Sequence, residues 1–246
     1  MLSFTLPDDL ALGWFIASWI VYSLVIEKTG KGGVGLNALM NGVREDWMGQ
    51  MIARDVRIVD SQVTAALQNG TAFFASTSLI AIGGTLSLLR ASEQIMTVIA
   101  ALPLSVPTTP AMWELKVVGL AVIFVYAFFK FAWSYRLFNY LAIMVGAAPP
   151  ASEKDTAAAR AFVHRASRLC ADAGLHFNRG QRAFFFALGY LGWFLGPAEL
   201  ALSTTAVLIV MWRRQFNSVS RKAFDAGLTE ASLTDAGVKA DATRNP

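Results

Sequence analysis

Ser61 to Leu89 contains no charged residue. A helix of that length runs to about 43 Å at 1.5 Å per residue, longer than the roughly 30 Å hydrocarbon core of a bilayer. A run of this kind leaves few folds open. In lipid each backbone N–H and C=O must be paired within its own segment, and a helix does this. Leu10 to Ile26 is a second uncharged run, at the short end for a span, with Trp14, Trp19 and Tyr22 placed to anchor it at interfaces. The composition agrees: 55% of residues are hydrophobic and 15% charged, against about 25% charged in an ordinary soluble domain.

The remaining apolar segments complete an expected all-α, integral membrane four-helix bundle. Thr109-Pro110 reads as an N-cap followed by proline at the first helical position, and the helix it opens reaches Gly146, before Pro149 and Pro150 forbid continuation. The spans are placed at about 10–26, 63–89, 113–135 and 184–212. Residues 37–60 form an amphipathic helix with Met40, Val43, Trp47 and Met51 on one side and Glu45, Asp46, Arg57 and Asp60 on the other. Residues 152–174 form a second, with Phe162, Ala166 and Leu169 inward. The prolines of 90–112 make that stretch a loop, with a short interfacial piece at 95–104, and the polar tail 215–246 reads as disordered. Asp8 and Asp9 stand where a cleaved signal would be basic, so the first run reads as a retained span. Four spans put 12 Lys and Arg on one side and 8 on the other, which favours both termini outside the cytoplasm of a bacterial inner membrane.

Few residues carry chemistry. Cys170, His164 and His176 match no zinc spacing, and no cofactor is expected. "GKGGVG", 30–35, has the letters of a dinucleotide loop, but it follows a span instead of a strand. The net charge of +4 suits basic loops at anionic lipid head groups, not nucleic acid. Without a nucleophile-base order or a carboxylate pair, the chain reads as a non-enzyme.

Three polar residues stand in or near apolar segments. With Trp113 and Trp133 at the two interfaces, Lys130 lies about 4.5 Å inside the boundary and its ammonium reaches the head groups, with Arg136 in or beyond them. A register four residues deeper brings Lys130 toward the midplane, where it needs a partner. Glu199 lies far from both flanks of the last span, on a stripe of Gly189, Gly192, Gly196, Glu199 and Ser203 that favours close helix packing. Pro197 has no N–H and frees the carbonyl of Trp193, so a kink is expected there. Glu199 then serves a packing hydrogen bond, an ion pair with Lys130, or permeation. Arg160, His164 and Arg168 form a basic ridge, and Arg160, Arg168, Arg179 and Arg182 are candidate head-group contacts, with Asn178 as a cap for the last helix.

"NGTAFFASTSLIAIGG" (69–84), "FVYAFFKFAWSYRLFNY" (124–140) and "HFNRGQRAFFFALGYLGWFLGP" (176–197) occur in this order, with "REDWM" (44–48) and "MWELK" (112–116). Together they resemble the membrane family catalogued as domain of unknown function 599. The resemblance covers most of the chain to about Arg214 and implies a four-span bacterial membrane protein, with no activity attached. The expected role is a membrane scaffold or interaction protein that self-associates through the Gly192/Gly196 face or binds another membrane protein. The alternative is a small transporter or oligomeric channel that uses Glu199.

Overall fold

The computed structural model describes residues 5–31, 36–91 and 109–216. Every regular element among them is helical: α1 Leu6–Lys31, α2 Leu36–Ile52, α3 Ile58–Arg90, α4 Pro110–Gly146, α5 Ala157–Tyr190 and α6 Pro197–Phe216, with short 3-10 turns at Ala151–Glu153 and Leu191–Phe194. α1, α3 and α4 are long and apolar enough to cross a membrane. Residues 32–35, the interfacial piece at 95–104 and the tail from 217 lie outside the described residues.

α4 keeps its expected bounds for the expected reason. Thr109 accepts a hydrogen bond from the Met112 N–H through its side chain, and Pro110 opens the helix. α2 ends at Ile52, eight residues early. Asp60, expected on the outer polar face, is instead buried in the first turn of α3, where it accepts from Trp47 Nε1 (2.8 Å) and Arg54 (2.9 Å). Arg57, expected on that same polar face, bonds the carbonyls of Ala148 and Pro149 beyond the end of α4.

The larger departure is at the C-terminal end. The surface helix expected over 152–174 and the start of the span expected over 184–212 are one continuous helix, α5, capped by Thr156 and not by Asn178. The expected span is then broken at 191–196, and α6 returns antiparallel along α5. Ser203 Oγ donates to the Gly189 carbonyl at 2.6 Å, and the Arg214 guanidinium lies over the Phe185 ring. Glycine permits the contact. A Cβ on Gly192 would stand 2.5 Å from the Glu199 carbonyl oxygen, and one on Gly189 would stand 3.4 Å from the Thr204 Cα. The small-residue stripe therefore packs against its own chain. The face expected for self-association is occupied by α6.

α1 runs antiparallel to α5, from the Asp8–Trp193 contact to the Glu27–Arg182 contact. Leu6 and Phe216 consequently lie at opposite ends of the bundle. Between those ends the core is apolar and aromatic. Phe15 meets Phe186 and Tyr190 edge-on, Trp19 stacks on Phe186, and Phe74 stacks on Phe131. Such pairs add about 0.5–1.5 kcal/mol each beyond their burial. α3 leans mainly on α4, through Thr64, Thr71, Ser78 and Thr85, four buried hydroxyl residues spaced by seven. Each hydroxyl bonds a carbonyl of its own helix, which leaves a small, saturated surface against α4. A second core, formed by Met48, Met51 and Ile52 of α2 with Leu141 and Val145 of α4 and Phe162, Ala166 and Cys170 of α5, builds a lobe beyond the Glu27 end.

Gly192→Ala places a methyl against backbone in a hairpin that has no slack. The expected loss is about 1–3 kcal/mol, read as a lower melting temperature in detergent, while Gly83→Ala, which faces open space within α3, does not lower it.

Candidate functional site

Polar side chains gather at the two ends of the apolar core. At the first end they meet on Trp193. Because Pro197 has no N–H, the Trp193 carbonyl lacks its ordinary helical donor. Lys116 of α4 supplies one, with Nζ at 2.7 Å and 5.4 Å from the indole centroid. Asp8 of α1 accepts from the Trp193 indole N–H at 3.0 Å. The cation and the carboxylate thus share one tryptophan, and both are buried. Thr5 donates to the second oxygen of Asp8 and fixes the start of α1.

At the other end Glu27 of α1 accepts from Arg179 at 2.9 Å and from Arg182 at 3.2 Å, both on α5. Asp8 and Glu27 are separated by about 28 Å of helix, close to the thickness of a bilayer core. Two clefts flank the Glu27 cluster. One, of about 280 Å³, is lined by Asn37, Asn178, Gln181, Arg182, Arg214 and Gln215 among others. The second, of about 400 Å³, adds Glu27, Arg44, Asp172 and Arg179. Asn178 donates across this region to the Asn37 side chain at 3.1 Å and holds the start of α2 against α5.

The other expected site residues are distributed by the hairpin. Glu199 sits in the first turn of α6, half-buried, at the Trp193 end and not at mid-depth, because the chain turns back just before it. Lys130 is about 21 Å along α4 from Lys116, at the opposite end, over the Tyr126 ring. No Glu199–Lys130 pair forms. Arg136 is exposed between Trp133 and Tyr140 and donates to the tyrosine hydroxyl at 2.7 Å. Arg160 and Arg168 are exposed, about 28 Å and about 16 Å along α5 from Arg179. Of the four candidate head-group arginines, only Arg179 and Arg182 come together. Among the described residues no three His, Cys, Asp or Glu side chains converge as a metal set.

Lys116, Asp8 and Glu27 were not singled out from the sequence. The signal for Lys116 was present: the carbonyl that Pro197 deprives of its helical donor lies in an apolar segment and requires another, and Lys116 is one of two cations in the span expected over 113–135. His176 packs near Trp133, with its Nδ1 buried and without a hydrogen-bond partner among the described residues.

The class that emerges is an all-helical protein, with helices fit to cross a membrane and a polar cluster closing each end of an aromatic core. The chain belongs to DUF599, a family of proteins of unknown function, whose profile matches residues 10–220. No curated protein and no solved structure matches it.

Lys116→Met removes the ammonium that donates to the Trp193 carbonyl and is expected to cost about 1–3 kcal/mol. In a double-mutant cycle of thermal stability with Asp8→Asn, the two losses should be non-additive, since both residues act on Trp193.

Proposed function

We propose that the protein is a membrane-anchored docking protein that presents its basic helical lobe to an acidic protein partner. The supporting observation is the position of the Arg160, His164 and Arg168 ridge. All three are exposed, and Arg160 stands about 28 Å along α5 from the Glu27 cluster. Head groups extend only about 5–7 Å beyond the hydrocarbon on each side. The ridge therefore projects past the lipid, where a protein surface is the fitting counterpart.

The anchor crosses the bilayer five times in this reading: α1, α3, α4, the second half of α5, and α6, whose 20 residues span about 30 Å. Of the 17 Lys and Arg among the described residues, 15 then fall at the Glu27 end and only Arg90 and Lys116 at the other. The positive-inside rule makes the lobe cytoplasmic, with α1 beginning outside and α6 ending inside. The interior between the polar ends is filled by aromatic rings, and Glu199 lies at one end. Both features weigh against permeation through a single copy.

A photo-crosslinking residue at 164 should capture one protein in native membranes, and Arg160→Glu/Arg168→Glu in the same chain should abolish the adduct. A ridge without adducts, or cation flux above that of empty vesicles in proteoliposomes, would count against the reading. In a Cys170→Ser background, impermeant maleimide should reach a cysteine at 109 from outside, and one at 152 or 215 only after permeabilisation.

A further inference from the structure

α1 and α6 run parallel and are joined by two hydrogen bonds. Trp14 Nε1 donates to Thr205 Oγ1 at 3.2 Å, and the Tyr22 hydroxyl donates to the Met211 carbonyl at 3.2 Å. Ala17 and Ser18 are small and lie between the two bonds. A groove of about 490 Å³ remains there, apolar along its walls at Val21, Val25, Leu208 and Ile209. It extends from Trp14 to Val25, about 16 Å of helix, which is the depth of one leaflet. A helix laid in it would need about 1,300 Å³ for a cylinder 10 Å wide, so the groove is far too narrow to embed one. A single extended hydrocarbon chain suits its width and length.

The chemistry at the C-terminal end of α6 is cationic. Arg213 lines the apolar groove, and Arg214 lines the neighbouring polar cleft of about 280 Å³. Tyr22 is a common wall of both. Neither Arg213 nor Arg214 forms an ion pair with a carboxylate of the described residues. Arg182, nine-tenths buried in the same cleft, shares its one carboxylate, Glu27, with Arg179. The cleft therefore carries excess positive charge, and amide side chains of Asn37, Asn178, Gln181 and Gln215 supply further polar groups along its wall. Arginine forks and amide donors at the head-group level, beside an acyl-sized groove, complement an anionic phosphate joined to a hydrocarbon tail.

We propose that one anionic glycerophospholipid occupies this paired site, with an acyl chain between α1 and α6 and its phosphate on Arg213 and Arg214. The inference rests on α1 and α6 both lying in the bilayer and is independent of the partner that meets the lobe, so the two readings fail separately.

Native mass spectrometry of the purified full chain, titrated with phosphatidylglycerol, phosphatidylcholine of the same acyl chains, and glycerol phosphate, tests it. Phosphatidylglycerol should bind about tenfold or more tighter than phosphatidylcholine. Glycerol phosphate, which has no tail, should leave no adduct. Arg213→Gln/Arg214→Gln should reduce phosphatidylglycerol to the phosphatidylcholine level, and Arg160→Gln/Arg168→Gln, on the distant ridge, should change nothing. Ala17→Phe, on the exposed wall of the groove, fills it and leaves the charges in place; it should remove the tight adduct, and it decides the matter if the double arginine variant does not fold. Equal affinity for the two lipids, retention of phosphatidylglycerol by Ala17→Phe, or equal loss in the ridge variant would overturn the proposal. So would glycerol phosphate binding as well as the whole lipid, or a photo-crosslinker at residue 21 joining a second copy or another protein.

Discussion

A missing N–H at Pro197 organises this fold. It leaves the Trp193 carbonyl without a helical donor, and the chain turns there instead of continuing. Lys116 takes the carbonyl and Asp8 takes the indole of the same residue, so α1, α4 and the α5–α6 turn are joined at one point. The turn lets α6 lie back along α5 with the Gly192 backbone against the Glu199 carbonyl. With that return, residue 216 ends opposite residue 6, and the basic residues collect at one end.

The second cluster has a different balance. Glu27 is one carboxylate between two guanidinium groups, and the neighbouring arginines leave the region positive. In the Trp193 cluster an acid and a base are matched and enclosed. In the Glu27 cluster the charge is unmatched and lies beside open clefts. The first arrangement is that of a structural joint, the second that of a surface able to take an anionic ligand.

Much of the fold could be read directly where local rules act alone. Thr109-Pro110 and the prolines after Gly146 set α4, and the length of uncharged sequence identified α1 and α3. The family was legible from ordered strings such as "HFNRG". The hairpin was harder to read, although its parts were visible. Gly189, Gly192, Gly196, Glu199 and Ser203 have helical spacing as a string, and the same residues form two facing surfaces once Pro197 ends the helix. Periodicity does not distinguish one stripe from a stripe folded on itself. That ambiguity placed Glu199 at mid-depth and hid the roles of Lys116 and Asp8, which depend on contacts between residues far apart in sequence. The seven-residue spacing of Thr64, Thr71, Ser78 and Thr85 was also present, but hydroxyl residues attract less notice than apolar ones in a search for packing faces.

The position of α1 has a consequence for biogenesis. Its polar partners across the fold include Trp193, Arg182 and Met211, and Phe15 packs on Phe186, all near the far end of the chain. A ribosome making this protein releases α1 long before any of them exists. The α3–α4 pair, joined by neighbouring segments, can settle as it emerges, but the first helix must wait in the bilayer with Asp8 held only by Thr5. The helix threaded first is the one seated last, and the nascent protein is most open to quality control during that interval.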